Sequence, residues 1–215
     1  MKLGVLFSGG KDSYLAMHIA SETHELSCLL TINSSNPDSW MFHTPAIEWT
    51  KLQSQSLKIP QIIQNTKGVQ DKELDDLFEL IEKGKNQYSI EGVVTGALAS
   101  TYQSTRIQKI CNDLNLWCFN PLWQMSQETL LEELIEKNIE SIITGVAAEP
   151  FDGEWLGREI NLECINDLIK LKESHRINPA GEGGERESFV INAPLFNRGL
   201  EIIQSKIHYS NYSGR

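Results

Sequence analysis

The sequence lacks the features that mark membrane-spanning, secreted and cysteine-based metal proteins. No apolar run approaches the roughly 20 residues needed to span a bilayer. The first seven residues are too short for a signal peptide before they meet a polar, glycine-containing turn. The four cysteines include no C-x-x-C pair, which argues against a zinc ribbon or an iron–sulfur ligand set. We therefore expect a cytoplasmic protein with reduced, packed thiols and no membrane contact.

Positive charge is also scarce. The chain has 19 Lys and Arg against 29 Asp and Glu, a formal net charge of −10, and its basic residues are scattered. Proteins that follow a phosphate backbone usually carry a basic face, so no nucleic-acid partner is expected. The 215 residues, 40% of them hydrophobic and 22% charged, are typical of a globular chain that can bury a core without disulfides.

Short apolar runs alternate with amphipathic stretches along the chain. This alternation predicts βαβ units, and hence an α/β fold with a doubly wound, mostly parallel sheet covered on both faces. The expected strands are residues 3–7, 26–32, 61–64, 90–95, 116–120, 141–146, 188–192 and 202–207. The expected helices follow residue 13 and cover residues 44–57, 72–83, 102–114, 127–137 and 160–172. We expect a larger N-terminal domain, residues 1–120, and a smaller C-terminal α/β subdomain, residues 121–215.

A polar segment with two glycines follows the first predicted strand. It reads Ser8-Gly9-Gly10-Lys11-Asp12-Ser13. The glycines let the backbone approach a ligand, and the following helix N-terminus attracts an anion. The lysine adds a positive charge and the two serines add hydroxyl donors, while Asp12 is expected to hold Mg²⁺ or, like Ser13, to cap the helix. The segment is neither a Walker A loop, because Val5 stands at its first glycine position, nor a G-x-G-x-x-G fingerprint.

A second strand, glycine turn and helix occupy residues 92–106. Gln103 and Arg106 are three residues apart, so both side chains project from one helix face, which Ser100 precedes. Arg106 has the fork of donors that suits a phosphate or a carboxylate. The alternative is a second βα turn with a solvent-exposed arginine.

Residues 178–189 are rich in glycine and glutamate. Glu182, Glu185 and Glu187 lie within six residues. Grouped carboxylates repel one another unless a cation lies between them, and Mg²⁺, ammonium or a quaternary ammonium group would each be suitable. The alternative is a solvated loop whose charges point into water.

These segments together resemble a known enzyme family. Residues 8–13 resemble the SGGxDS pyrophosphate loop (PP-loop) of the N-type ATP pyrophosphatases, which cleave ATP between the α and β phosphates. With residues 96–106 and 181–188, the chain resembles the diphthine–ammonia ligase (diphthamide synthetase) family. Its members share an SGGKDS loop, a GAI-x-S-x-YQ-x-x-R-like segment and a GEGGE[YF]ET-like segment. The main departure is Arg186, where an aromatic residue is usual.

The resemblance implies the fold and the reaction. The implied fold is HUP-like, that is, adenine nucleotide alpha hydrolase-like. The implied enzyme is an ATP-dependent ligase that adenylates the carboxylate of diphthine on the translocation elongation factor. Ammonia then converts the acyl-adenylate to an amide, releasing AMP, after pyrophosphate has left. ATP and Mg²⁺ are the implied cofactors, ammonium and the elongation factor the implied partners, and a homodimer is left open.

The resemblance also implies the site. The implied ATP-binding residues are Ser8, Gly9, Gly10, Lys11, Asp12, Ser13, Gly96, Ser100 and Gln103. The implied catalytic residues are Lys11, Asp12, Arg106, Glu182, Glu185 and Glu187, with Asp12 as the metal ligand. His43 and Trp40, after the second strand, are further candidates for contacts near the adenosine.

Three other functions remain open. A paralogous ligase would act on a small-molecule carboxylate, since Arg186 beside Glu185 and Glu187 would neutralise the acidic segment. A tRNA-thiolating or lysidine-forming enzyme would need a cysteine set or a basic surface, and neither is visible. A non-catalytic adenine-nucleotide sensor would need the phosphate turn but not the acidic segment.

Overall fold

The structure is a computed structural model that describes residues 1–36, 46–69 and 72–215. Its strands are β1 Lys2–Leu6, β2 Glu25–Ser34, β3 Gln61–Thr66, β4 Gly92–Val94, β5 Trp117–Phe119, β6 Glu140–Val146, β7 Arg186–Asn192, β8 Tyr209–Ser210 and β9 Ser213–Gly214. Its α-helices are α1 Lys11–Ser21, α2 Thr50–Leu57, α3 Lys72–Tyr88, α4 Thr101–Asp113, α5 Gln127–Glu136 and α6 Leu162–His175. His43 and Trp40 lie outside the described residues.

The first five strands form one parallel sheet with β1 at its centre. The strand order is β3-β2-β1-β4-β5, and every neighbouring pair is parallel. The chain moves from β1 outward through β2 and β3, then crosses to β4 and β5 on the other side. Open parallel sheets bind ligands outside the carboxyl ends of the strands at such a reversal. The doubly wound, mostly parallel expectation is confirmed for this sheet.

Apolar side chains pack on both faces of the parallel sheet, as its near-continuous apolar strands require. On one face, α1 buries Tyr14, Leu15 and Met17 completely. A second cluster joins α3 and α4 to strand residues such as Leu30 and Val93. No helix of the described ranges combines the length and apolarity that a bilayer crossing requires.

The last four strands form a second sheet, which is antiparallel. Its order is β7-β6-β9-β8, and the main pairing joins Ile143 to Ser188 and Gly145 to Glu187. One apolar cluster joins this sheet to α1, because Ile143 and Val190 belong to the cluster that contains Tyr14. The two sheets occupy residues 2–119 and 140–214. The expected domain boundary at residue 120 stays a prediction.

Three local expectations are wrong. The strand expected at residues 202–207 is absent: that segment has no regular structure, Ile203 is 94% exposed, and the following residues form the β8–β9 hairpin instead. An apolar run alone does not make a strand without a neighbour to pair with. Of the helix expected over residues 44–57, residues 44 and 45 lie outside the described residues. The described part begins with a 3-10 turn, Ile47–Trp49, before α2. Helix α1 begins at Lys11 with Gly10 as its N-cap, so neither Asp12 nor Ser13 caps it.

Candidate functional site

Residues 8–13, called the phosphate loop below, connect the central strand β1 to α1. The Ser13 hydroxyl accepts from the Ser8 backbone N–H at 3.3 Å and donates to the Gly10 carbonyl at 3.0 Å. Gly9 has φ +81°, a conformation that L side chains rarely adopt. A Cβ there would also lie 2.5 Å from the side-chain oxygen of Gln53. The loop therefore requires glycine at position 9 both for its backbone angle and for its space.

The second sheet and α2 hold the phosphate loop in place. β7 is the edge strand of its sheet, and the Val190 N–H donates to the Gly9 carbonyl at 2.9 Å. The Lys11 N–H donates to the Ser188 hydroxyl at 3.2 Å. Gln53, fully buried in α2, donates from Nε2 to the carbonyls of Gly9 at 3.0 Å and Val190 at 2.8 Å. These bonds join the loop after the first strand to a strand that begins at residue 186.

Lys11 and Asp12 form an ion pair at the start of α1. The Lys11 ammonium donates to both carboxylate oxygens of Asp12, at 2.9 and 2.8 Å. The Lys11 side chain is only 5% exposed, whereas that of Asp12 is 31% exposed. A buried ammonium beside a helix N-terminus is a strong attractant for anions, and here Asp12 balances its charge.

The loop after β4 packs directly on the phosphate loop. A Cβ on Gly96 would lie 2.8 Å from the backbone carbonyl of Asp12 and 2.9 Å from the amide nitrogen of Ser13. Because these nearest atoms all belong to the backbone, no flexible side chain can move away to make room for the Cβ. Gly96 therefore allows the loops after β1 and β4, the two strands that flank the reversal of strand order, to meet.

The three expected residues around α4 have local contacts in the structure. The Ser100 hydroxyl caps α4 by accepting the Gln103 N–H at 3.3 Å. The Arg106 guanidinium stacks 3.4 Å from the centre of the Tyr102 ring and donates to the Tyr102 carbonyl at 3.2 Å. Its buried Nε has no hydrogen-bond partner in the described chain. Both of these contacts are with Tyr102, one turn earlier in α4.

Glu182 and Glu187 lie close to the Lys11–Asp12 pair. Burial raises the pKa of Glu182, and the negative charge of Asp12 raises it further, against the effect of Lys11 and a hydrogen bond from the Ala99 backbone. Burial raises the pKa of Glu187 to about 7, while the charge of Lys11 acts to lower it. Ala99 belongs to the loop after β4, so the acidic segment meets both loops of the parallel sheet.

Glu185 and Arg186 have different surroundings. The Glu185 carboxylate accepts hydrogen bonds from the Asn178 backbone and side-chain amides and from the Gly183 N–H, at 2.7–3.0 Å. Arg186 is 5% exposed and donates from Nη2 to the Pro179 carbonyl. Burial lowers the pKa of Arg186 to about 10, so its positive charge persists at neutral pH. Both side chains fasten residues 178–186 into a closed turn.

The described residues offer Mg²⁺ a single carboxylate of the phosphate loop, Asp12. Among the described residues, no group of three or more His, Cys, Asp or Glu side chains could form a metal cage. Mg²⁺ usually needs only one or two carboxylates besides substrate phosphates, which suits the single, partly exposed Asp12.

Two residues that hold the phosphate loop, Gln53 and Ser188, were not predicted from the sequence as loop partners. Gln53 had no sequence signal because it lies 44 residues from its partner Gly9.

The comparisons with known proteins agree over nearly the whole chain. The family model for the diphthamide synthase N-terminal domain matches residues 1–117, and the model for the C-terminal domain matches residues 126–215. Diphthine–ammonia ligase of Rattus norvegicus is 33% identical over 96% of this chain and 84% of its own length. The human enzyme is 31% identical over 96% of this chain and 85% of its own length. The match to the Schizosaccharomyces pombe enzyme is 30% identical and covers 96% of this chain but 37% of that protein.

A solved structure also resembles the chain. It is the crystal structure of a predicted subunit of tRNA methyltransferase from Methanocaldococcus jannaschii, which is 18% identical. The alignment covers 90% of this chain and 97% of the other, with a TM-score of 0.45. This likeness is too distant to bear on fold or function.

Proposed function

The chain belongs to the diphthamide synthase family, and from this premise we propose that it is an ATP-dependent ligase that joins ammonia to the carboxylate of diphthine. The observation that carries the proposal is the convergence around the first turn of α1. The Gly96 loop packs on the backbone of Asp12 and Ser13, and the charges of Lys11 and Asp12 act on the buried carboxyls of Glu182 and Glu187. A site for triphosphate thus borders a site with titratable carboxylates.

In the first half-reaction a carboxylate oxygen of the acceptor attacks the α-phosphorus of ATP. The bond between the α-phosphorus and the bridging oxygen breaks, and pyrophosphate leaves with that bond's electrons. Ser8, Gly9, Gly10 and Ser13 would bind the departing pyrophosphate through N–H and hydroxyl groups, with Lys11 neutralising its charge. Because Asp12 now pairs with Lys11, the ammonium would exchange a carboxylate partner for a phosphate partner.

In the second half-reaction ammonia attacks the acyl carbon, and the bond to AMP breaks with its electrons going to the AMP phosphate. The new nitrogen then loses one proton to solvent, which leaves the amide. Ammonium has no lone pair, so it must lose a proton before it attacks. Glu187, with its pKa raised to about 7, is suited to accept that proton at neutral pH. Glu182 would hold the ammonium beside it. For Glu185 we propose a structural role, since its oxygens bond to Asn178 and Gly183.

The remaining assignments concern the cation, α4 and the protein partner. Asp12 would provide the one protein carboxylate for Mg²⁺, which supplies charge neutralisation at the phosphates. Gln103 and Arg106 stay candidates for nucleotide contacts; Arg106 would first have to leave the Tyr102 ring. The acceptor would be diphthine on the translocation elongation factor. For Arg186 we propose a structural role in the turn of residues 178–186, since its guanidinium bonds to Pro179.

The test is ATP–pyrophosphate exchange in the absence of ammonium. Purified protein is incubated with ATP, labelled pyrophosphate and an elongation factor that carries diphthine. We expect exchange with the wild type and with Lys206→Ala, an exposed-lysine control. Lys11→Ala should lose at least about tenfold, the scale of one charged contact. Ser13→Ala is a milder second variant if Lys11→Ala folds poorly. Exchange unaffected by both variants would remove the phosphate loop from the chemistry.

A further inference from the structure

The peptide bond between Gly9 and Gly10 in the phosphate loop has a glycine on each side. Gly9 has φ +81°, and Gly10 has φ −79° with ψ 167°. Turning this peptide over would change ψ of the first residue and φ of the second, and glycine tolerates both changes because it has no side chain. Local sterics therefore do not decide which way the Gly9 carbonyl and the Gly10 N–H point. Contacts from other elements must decide it.

Two hydrogen-bond donors fix the direction of this peptide. The Gly9 carbonyl accepts from the Val190 N–H of β7 at 2.9 Å and from the Gln53 side-chain amide of α2 at 3.0 Å. A carbonyl oxygen has two lone pairs, so both are used. The Gly9–Gly10 peptide is trans, and the N–H of a trans peptide points in the opposite direction to its carbonyl. The Gly10 N–H therefore points away from β7 and α2.

The Gly10 N–H lies beside the hydroxyl of Ser8. The distance from the Gly10 nitrogen to the Ser8 hydroxyl oxygen is 3.4 Å, longer than the roughly 2.7–3.2 Å of ordinary N–H···O bonds. An N–H that is held so weakly can readily donate to a phosphate oxygen instead. If the peptide were turned over, the Gly9 carbonyl would take this position, and its oxygen would repel a phosphate. The direction of one peptide thus decides whether the loop attracts an anion there.

The Gln53 side chain is used on one side only. It is fully buried, and its Nε2 donates to the carbonyls of Gly9 at 3.0 Å and Val190 at 2.8 Å. Its Oε1 is buried and has no hydrogen-bond partner among the described residues. A buried acceptor without a partner is destabilising, so each one calls for an explanation. The place of Nε2 between the two carbonyls supplies one.

We infer that Gln53 is a positioning residue for pyrophosphate: its amide holds the Gly9–Gly10 peptide so that the Gly10 N–H donates to the departing pyrophosphate. The inference rests on the proposed function, in which the phosphate loop binds pyrophosphate, and adds the residue that orients the loop for it. Because Gln53 is fully buried, it acts through the loop and not by touching the nucleotide. Its bond to Val190 makes β7 part of the same support.

Gln53→Met tests this role, because methionine keeps the length of the side chain and has no donor. Gln61→Met is the matched control, since Gln61 also donates two hydrogen bonds from Nε2, at 2.8 and 2.9 Å, but to the hydroxyls of Thr31 and Thr50. Binding of inorganic pyrophosphate with Mg²⁺ is measured by titration calorimetry on protein that urea unfolding shows to be folded. The KM for pyrophosphate is measured in the exchange reaction. Gln53→Asn, whose amide is one methylene shorter, is the second variant if Gln53→Met folds poorly.

For Gln53→Met we expect the Kd for pyrophosphate to rise about tenfold, the low end for a hydrogen bond to a charged group, because the Val190 N–H still holds the Gly9 carbonyl. The KM for pyrophosphate should rise by the same factor, and Gln61→Met should match the wild type in both measurements.

A role in stability alone would leave the affinity of the folded protein for pyrophosphate unchanged in Gln53→Met, and that result would overturn the inference. Wild-type protein that binds pyrophosphate but forms no amide would instead overturn the proposed function. Weaker pyrophosphate binding by Gln53→Met would still support the positioning role in that case.

Discussion

Replacing Gly96 by alanine is the sharpest perturbation of the contact between the loops after β1 and β4. The new Cβ would lie 2.8 Å from the Asp12 backbone, and ordinary contact begins at 3.4 Å, so the first turn of α1 must move by about 0.6 Å. Overpacking against rigid structure costs about 1–3 kcal/mol. For a chain of this size each kcal/mol lowers Tm by roughly 2–4 °C. The displaced turn carries Lys11, so the KM for ATP should rise as well.

The matched control is Gly153→Ala. The three atoms nearest to a Cβ there all belong to the Tyr209 side chain, at 3.6 Å or more, which is ordinary contact. Alanine also restricts the unfolded chain, which stabilises a protein by about 0.4–1 kcal/mol where the backbone permits it. We therefore expect Gly153→Ala to be neutral or slightly more stable, with unchanged ATP kinetics. Thermal unfolding and steady-state kinetics measure both variants. If Gly96→Ala behaves like Gly153→Ala, the two loops do not meet as described.

Three further predictions concern the residues around the phosphate loop. Gln53→Met keeps the side-chain length but loses both hydrogen bonds to the Gly9 and Val190 carbonyls. Urea unfolding should show a loss of about 1–3 kcal/mol in the free energy of unfolding. An unchanged midpoint would contradict a stabilising role for these two bonds. The pKa of Glu187 is raised from 4.5 to about 7, so folding favours its protonated form. The unliganded protein should therefore lose up to about 3 kcal/mol of stability as pH rises from about 4.5 to about 7. The difference between wild type and Glu187→Gln should show that slope, and parallel pH profiles would refute it. Glu185→Ala should destabilise the protein by about 1–3 kcal/mol without raising the KM for ammonium, whereas a raised KM at unchanged stability would assign Glu185 to the ammonium site.

The parallel sheet could be predicted because its signals are local. Each buried strand is a short apolar run, and each run ends at a glycine, proline or asparagine turn. The phosphate loop was equally visible, since six consecutive residues carry it. Its N-cap was not, because Gly10 takes the extended cap conformation and Ser13 turns its hydroxyl back to the Gly10 carbonyl.

The second sheet and the hydrogen bonds that hold the phosphate loop depend on contacts between distant residues. Whether β6 and β7 pair in parallel or antiparallel is decided by how the chain returns across about 40 residues, which no local pattern reports. The same distance hides the bonds from Ser188 and Val190 to the phosphate loop. The segment 202–207 shows the reverse error, an apolar run with no strand beside it.

The residues of the acidic segment could be named from the sequence, but the different surroundings of its three glutamates could not be predicted. Three glutamates look alike in sequence, yet Glu185 bonds within its own turn while Glu182 and Glu187 lie near Lys11. Arg186 looked as if it would neutralise its neighbours. In the structure its guanidinium is buried and bonded to Pro179, and only its charge reaches Asp12 and Glu185. Strand direction and burial, which follow from the fold, decide these different surroundings.

The central claim is that the acceptor carboxylate is joined to the α-phosphate of ATP before ammonia attacks. An acceptor whose carboxylate is labelled with ¹⁸O tests it directly, with ATP and ammonium supplied and the nucleotide products separated by mass. The account predicts AMP that contains one ¹⁸O atom for each amide formed, together with unlabelled pyrophosphate. Label in inorganic phosphate, with ADP as the nucleotide product, would contradict it.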